Sequence, residues 1–237
     1  MIEWRYGDQL EWRLVLVGLS EDVSRYLAHG YTPIRQALGQ LRFRERYGMP
    51  FSGTVKSGLS PSSRACRAVI AARRQWPGAE WRVFRALQLA NFNSALRFDD
   101  DDQVREVLDG VPGVDAEQIV GLVDSPEVTE EYEADKALTR TAAGSPTEFQ
   151  GKAGNSDGAV RYTAPSVIFE TGDGRRLVNS GRCPRLDSAG ASATPPRTYP
   201  ACDGCRSCDC SCSARSCCWR AATSSGWSLV SAGASSS

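Results

Sequence analysis

Cysteines are the residues of this chain whose type and spacing suggest chemistry most directly. Eight of the nine begin at Cys183 and lie in the last quarter of the sequence. The last seven follow one another closely: Cys202, Cys205, Cys208, Cys210, Cys212, Cys217 and Cys218. Thiolates at such separations can share a soft ion such as Zn²⁺ or Cu⁺. Metal binding is therefore one hypothesis for this segment.

The stretch that carries these cysteines, residues 183–237, is unusual in composition. It contains no Glu, Lys, Ile, Phe, His, Asn, Gln or Met. The missing types have mostly AT-rich codons, and this favours a GC-rich gene that is read out of frame from about residue 180. We prefer that explanation to a metal site, because no histidine lies nearby. Little apolar surface is available to offset chain entropy, so the tail is predicted to be disordered without metal.

Outside this tail, two isolated side chains could be reactive, namely Cys66 and the only histidine, His29. Cys66 precedes Val69 at helical spacing, which indicates a small core residue. The alternative is an exposed thiol whose pKa is lowered by Arg64 and Arg67. His29 lies near the end of a short predicted helix, where a C-cap or solvent-exposed role is expected. No Gly-x-Ser-x-Gly motif and no glycine-rich phosphate loop is present.

Composition argues against several classes of partner. Lys plus Arg and Asp plus Glu number 28 each, so net charge gives no sign of a nucleic-acid partner. No apolar run approaches the roughly 20 residues that span a bilayer, so no membrane partner is expected. Residues 1–5 have neither the apolar region nor the small-residue cleavage site of a signal peptide, which predicts a cytoplasmic location.

The elements that must position any site follow from periodicity. Residues 11–18 alternate and then become apolar, which predicts a strand in a buried sheet. From about residue 21 to 144 the pattern is helical. Helix starts are indicated at Ser60-Pro61-Ser62, the acidic run 99–102, Asp115 and Ser125-Pro126. The acidic run lacks the glycine and the terminal glutamate of an EF-hand loop, so a metal role for it is disfavoured.

A β-hairpin follows the helical block. A proline-led strand at 164–170, a turn at 172–174 and a return strand at 176–178 predict an antiparallel pair. Strand, helical block and hairpin, in this order, indicate a mixed α/β domain with a helical insertion.

Four separated segments carry a likeness to a known family: 12–19 (WRLVLVGL), 42–50 (RFRERYGMP), 146–153 (PTEFQGKA) and 162–166 (YTAPS). Together they resemble actinobacterial DsbA-family proteins, which are relatives of thioredoxin-fold oxidoreductases and hydroxychromene-carboxylate isomerases. The likeness runs from about residue 3 to residue 181. It implies a thioredoxin fold with a helical domain inserted between two halves of the sheet.

The resemblance also implies a site with two parts. One is a Cys-Pro-Trp motif at the start of the first helix, and the other is a cis-proline loop that faces it. Thr163, Ala164 and Pro165 match the loop, with Pro165 as the cis-proline and the backbone of Ala164 pairing with a thiol or peptide substrate. No Cys-x-x-Cys or Cys-Pro-Trp precedes Glu11, so the nucleophilic cysteine is absent there.

The expected fold is therefore α/β, with a partial thioredoxin-like domain at 1–182, a helical insertion at about 21–144 and a disordered Cys-rich tail at 183–237. The expected function is that of a DsbA-family thiol–disulfide oxidoreductase by descent, truncated and inactive. Its partners would be protein or low-molecular-weight thiols or disulfides, and no cofactor is implied. The alternatives are a non-catalytic thiol or peptide binding module and metal binding by the tail. Because no neighbour is predicted for the strand at 14–17, its exposed edge should lower solubility.

Overall fold

A computed structural model describes residues 10–149, 153–154, 158–180 and 228–234 of the chain. The strands in these ranges are β1 Leu10–Leu16, β2 Ala153–Gly154, β3 Arg161–Tyr162, β4 Ser166–Glu170, β5 Arg176–Ser180 and β6 Ser228–Ala234. The helices are α1 Ser24–Ala28, α2 Pro33–Tyr47, α3 Ser63–Gln75, α4 Glu80–Asn93, α5 Asp101–Asp109, α6 Ala116–Leu122, α7 Pro126–Thr139 and α8 Pro146–Phe149. The predicted order of strand, helical block and hairpin is confirmed.

Local capping chemistry sets three of the predicted helix starts. Asp100, Asp115 and Ser125 each accept a hydrogen bond from the backbone amide three residues later, at 2.9–3.3 Å. A cap of this kind satisfies one of the amides that a helix start leaves without an intrahelical partner. Ser62 precedes α3 but makes no such bond, because its backbone is already helical at φ −91° and ψ −10°. The hydroxyl cap predicted there is therefore wrong, although the helix start is in the predicted place.

The main sheet has four strands in the order β1-β6-β4-β5. β4 and β5 form the predicted antiparallel hairpin, with Ser166 opposite Ser180. β6 lies between the two halves, antiparallel to β1 and parallel to β4. A strand in this position can form backbone hydrogen bonds along both of its edges.

The position of β6 corrects two expectations from the sequence. Ser228–Ala234 belongs to the stretch for which disorder is predicted, but these seven residues form a strand. β1 therefore has a neighbour along one side, whereas its other side is an edge of the sheet that the structure describes. Backbone pairing explains the difference, because it does not require the apolar side chains that the tail lacks. Residues 181–227 and 235–237, with the eight tail cysteines, lie outside the described residues.

β1 lies between two of the three hydrophobic clusters of the core, and the third contains Met49, Phe51 and Phe92. Leu14 and Leu16 pack among the helices α3 to α7, whereas Val15 and Val17 pack with Tyr162 and other residues of the second cluster. Successive side chains of a strand point to opposite faces, so β1 serves both clusters at once. In the described part of the chain, no helix is long and apolar enough to cross a bilayer.

Candidate functional site

The loop at 163–165 joins β3 to β4, and its backbone geometry is specific. The peptide bond between Ala164 and Pro165 is cis. The hydroxyl of Ser166, the first residue of β4, donates a hydrogen bond to the carbonyl of Thr163. Ser166 is buried, so this bond holds the two ends of the loop together from inside the protein.

The register of the sheet shows where this loop lies. Leu14 of β1 and Val167 of β4 are both paired with Val230 of β6. Because β1 is antiparallel to β6 and β4 is parallel to it, the carboxyl end of β1 and the amino end of β4 lie at the same end of the sheet. The loop therefore lies at the same end of the sheet as the carboxyl end of β1, with β6 between the two strands. Ala164 packs against the cluster that contains Val15 and Val17.

The backbone of Ala164 is unpaired within the described part of the chain. Neither its amide nor its carbonyl has a hydrogen bond to any of the residues that the structure describes. Ala164 is half-buried. An extended peptide can form backbone hydrogen bonds with an amide and a carbonyl that have no partner of their own.

The segment that follows β1 is tightly held on the helical side. The guanidinium of Arg140 donates to the carbonyls of Val17 and Gly18 at 2.9 and 3.2 Å. Gly18 has φ +58°, and a Cβ there would lie 2.5 Å from the hydroxyl oxygen of Tyr132. That hydroxyl donates to Glu21 at 2.8 Å. Only glycine suits this close approach, and the segment is thereby fixed against the helices.

Cys66 belongs to the same side and is fully buried. Burial raises the pKa of its thiol to about 12, and the negative charge of Glu21 contributes to the rise. Cys66 packs in the cluster of Leu14 and Leu16, on the face of β1 opposite to the cluster that Ala164 joins. The prediction that Cys66 is a small core residue is confirmed, and the structure does not bring it to the 163–165 loop.

We expect Cys66 to resist alkylation in the native full-length chain. Iodoacetamide reacts with thiolates, so labelling of a buried thiol with a raised pKa should be at least about 100-fold slower than in 8 M urea. Mass spectrometry of the proteolytic peptide that carries Cys66 separates it from the tail cysteines. Equal labelling rates in buffer and in urea would contradict the burial of this thiol.

The other residues that were considered for chemistry form contacts within the fold. His29 is the C-cap of α1 and is exposed, and its Nδ1 lies 2.8 Å from the carbonyl oxygen of Arg25. In the acidic run at 99–102, Asp100 caps α5 and the other three carboxylates form ion pairs with arginines. Within the described residues, no group of His, Cys, Asp and Glu is placed to hold a metal ion. The metal hypothesis for the segment from Cys202 to Cys218 lies outside the described residues.

A family model for the DSBA-like thioredoxin domain matches residues 29–164, which is more than half of the chain. The chain belongs to this family. No curated protein and no solved structure matches it. Membership of the DsbA family, inferred from four short segments, is confirmed over residues 29–164, and so is the α/β thioredoxin-like fold class with its helical insertion.

In this DSBA-like chain, the family match covers the helices from α2 to α8 and ends inside the 163–165 loop, at Ala164. The match places the chain in a family of thiol–disulfide oxidoreductases. It says nothing of the thiol that such chemistry needs, and Cys66 is the only cysteine among the described residues.

The sequence did not reveal three strands of the site region, namely the short pair β2 and β3 and the central strand β6. For β6 the omission matters most, because it joins the two halves of the sheet. A weak signal was present, because Leu229 and Val230 form a short apolar pair in a tail of small residues. Such a pair is not a strand pattern by itself. The close packing of Gly18 against Tyr132 was also missed, since nothing in the sequence links two residues so far apart.

Proposed function

We propose that this DSBA-like chain binds thiol- or disulfide-containing partners at the 163–165 loop and does not itself exchange disulfides. The observation that carries the proposal is the burial of Cys66, the only cysteine among residues 1–182. Disulfide exchange begins with the attack of an accessible thiolate. With a pKa of about 12, on the order of one such thiol in 100,000 is ionised at pH 7.

Binding needs only the part of the site that the loop supplies. The open amide and carbonyl of Ala164 would pair with the backbone of an extended peptide, as in strand addition at a sheet edge. The bond from Ser166 to the carbonyl of Thr163 keeps the loop in shape before a partner arrives. A partner would therefore meet a preformed surface, which lowers the entropic cost of binding.

Nuclear magnetic resonance of the ¹⁵N-labelled full chain, kept reduced, tests the binding site. A short peptide with a central cysteine should shift the amide signals of Thr163, Ala164 and Ser166. The same peptide with serine in place of cysteine is the control, and its affinity should be at least about fivefold lower. Absence of shifts at these three amides, or equal affinity for both peptides, would refute the proposal.

Turnover is measured separately, as the reduction of insulin disulfides by dithiothreitol. We expect the same rate with and without the protein, because the described part of the chain offers no accessible thiolate. Any acceleration counts against the proposal. If the acceleration is lost in Cys66→Ser, the buried thiol is its source. If it persists there, the source is the tail cysteines.

A further inference from the structure

A cleft of about 170 Å³ lies in the helical insertion, and no residue of the 163–165 loop lines it. Five aromatic residues contribute to its walls: Tyr26, Tyr31, Phe43, Phe92 and Phe98. A cavity of about 150 Å³ accommodates a benzene-sized molecule. The cleft is therefore large enough for a ligand with one planar ring.

The carboxamide of Gln40 faces this cleft without a hydrogen-bond partner. Gln40 lies on the face of α2 that lines the cleft, together with Gln36 and Phe43, three or four residues away. It is 6% exposed, and its side chain forms no hydrogen bond with any of the residues that the structure describes. Both polar atoms of the carboxamide nevertheless keep accessible surface, which the cleft provides. A buried polar side chain usually has a partner, so this donor and acceptor are available to a ligand.

Asn91 brings a second carboxamide to the same cleft and is 7% exposed. Its Oδ1 accepts a hydrogen bond from Nζ of Lys56 at 2.6 Å. An ammonium group can only donate, so this bond fixes the carboxamide with its oxygen toward Lys56. Nδ2 has no acceptor among the described residues and keeps accessible surface. Asn91 therefore adds a donor to the donor and acceptor of Gln40.

Gly39 leaves the wall between these groups without a side chain. It lies inside α2 and lines the cleft, and a Cβ there would meet no atom within 4 Å. Glycine weakens a helix interior relative to alanine, and the packing of α2 does not require it at this position. Any larger side chain would extend into the cleft. The effect of this glycine is thus to keep the space open.

We propose that the cleft binds a small neutral molecule that consists of one planar ring and a carboxamide group. The ring would pack among the aromatic residues. The carboxamide of the ligand would pair with that of Gln40, because each has one acceptor beside one donor. A carbonyl oxygen has two lone pairs, so the ligand oxygen would also accept from Nδ2 of Asn91. A carboxylate fits less well, since it has no N–H to donate to the oxygen of Gln40. This site does not depend on the function proposed above.

Nuclear magnetic resonance of the ¹⁵N-labelled full chain tests the proposal with three probes. Benzamide should bind with a Kd on the order of 1 mM or tighter and shift the side-chain amide signals of Gln40 and Asn91. Benzoate has the ring with a charge, and acetamide has the carboxamide without the ring. Each should bind at least about fivefold more weakly than benzamide. Absence of these shifts with benzamide, or equal affinity for benzamide and either control, would overturn the proposal.

Two glycine variants locate the site. Gly39→Met fills the cleft and should lower the affinity for benzamide at least about tenfold, without loss of helix content, because methionine is the better helix former. Gly121→Met is the matched control, since Gly121 also lies in a helix, a Cβ there would meet no atom within 4 Å, and it does not line the cleft. Its affinity should stay within about twofold of the natural chain.

If Gly39→Met does not fold, Gln40→Leu provides the test. It removes the free carboxamide and keeps an apolar side chain, so the expected loss of benzamide affinity is at least about fivefold. Circular dichroism confirms the fold of each variant. Unchanged benzamide affinity in either folded variant would place the binding elsewhere and refute the proposal.

Discussion

Replacing Arg73 by methionine should lower the free energy of unfolding of this chain by about 3–5 kcal/mol. The side chain of Arg73 is 16% exposed and forms ion pairs with Glu80, with Glu131 at 2.7 Å and with Asp135 at 3.5 Å. It also donates to the carbonyl of Leu14 in β1. Methionine removes the cation that these three carboxylates share, although Asp135 keeps Arg13 at 2.6 Å and Glu131 keeps Arg74 at 3.2 Å.

Asp135 explains why the loss should be large. Its carboxylate is fully buried and accepts a bond from the amide of Leu16 at 3.0 Å. Burial raises the pKa of Asp135 above its ordinary value even with Arg73 present. The ion pairs thus only offset the cost of burying this carboxylate. Removal of Arg73 would leave that cost in place with less attraction to offset it.

Urea unfolding followed by circular dichroism measures the effect, and Arg74→Met is the matched control. Arg74 is the next residue along α3, its side chain is 42% exposed, and among the described residues its one ion pair is with Glu131, at 3.2 Å. Exposed pairs of this kind contribute about 0–1 kcal/mol. Equal stability of the two variants would show that the network around Arg73 contributes little to folding.

Replacing Val230 by proline should cost at least about 3 kcal/mol and destroy the cooperative unfolding of the sheet. Val230 is central in β6, where it is paired with Leu14 of β1 on one side and with Val167 of β4 on the other. Proline has no amide hydrogen and does not fit between two strands. The edge of β1 would then be unpaired, and the low solubility predicted from the sequence would be expected in this variant.

Thermal unfolding and sedimentation of the full chain measure both effects. Gly172→Pro places the same residue in the exposed turn between β4 and β5, where an added side chain meets no neighbour within 4 Å, so it controls for proline itself. That variant should unfold like the natural chain. If Val230→Pro also unfolds like the natural chain and stays monomeric, β6 does not hold the two halves of the sheet together.

The sequence by itself determined those features that depend on neighbouring residues. Asp115 and Ser125 act within one turn of a helix, so their types and positions predicted two helix starts correctly. The hairpin of β4 and β5 is likewise local, since it is formed by two short runs around one turn. Cys66 was predicted as a core residue from its helical spacing, and burial of that helix face bears this out.

Only the tertiary structure decided which distant residues meet. The pairing of Val230 with Leu14 and Val167 joins parts of the chain that no local pattern connects, because backbone hydrogen bonds are nearly independent of residue type. The hydrogen bond from Lys56 to Asn91 likewise depends on the fold, which brings together two residues far apart in the chain. Burial and pairing are properties of the assembled chain, and this is why the central strand became visible only in three dimensions.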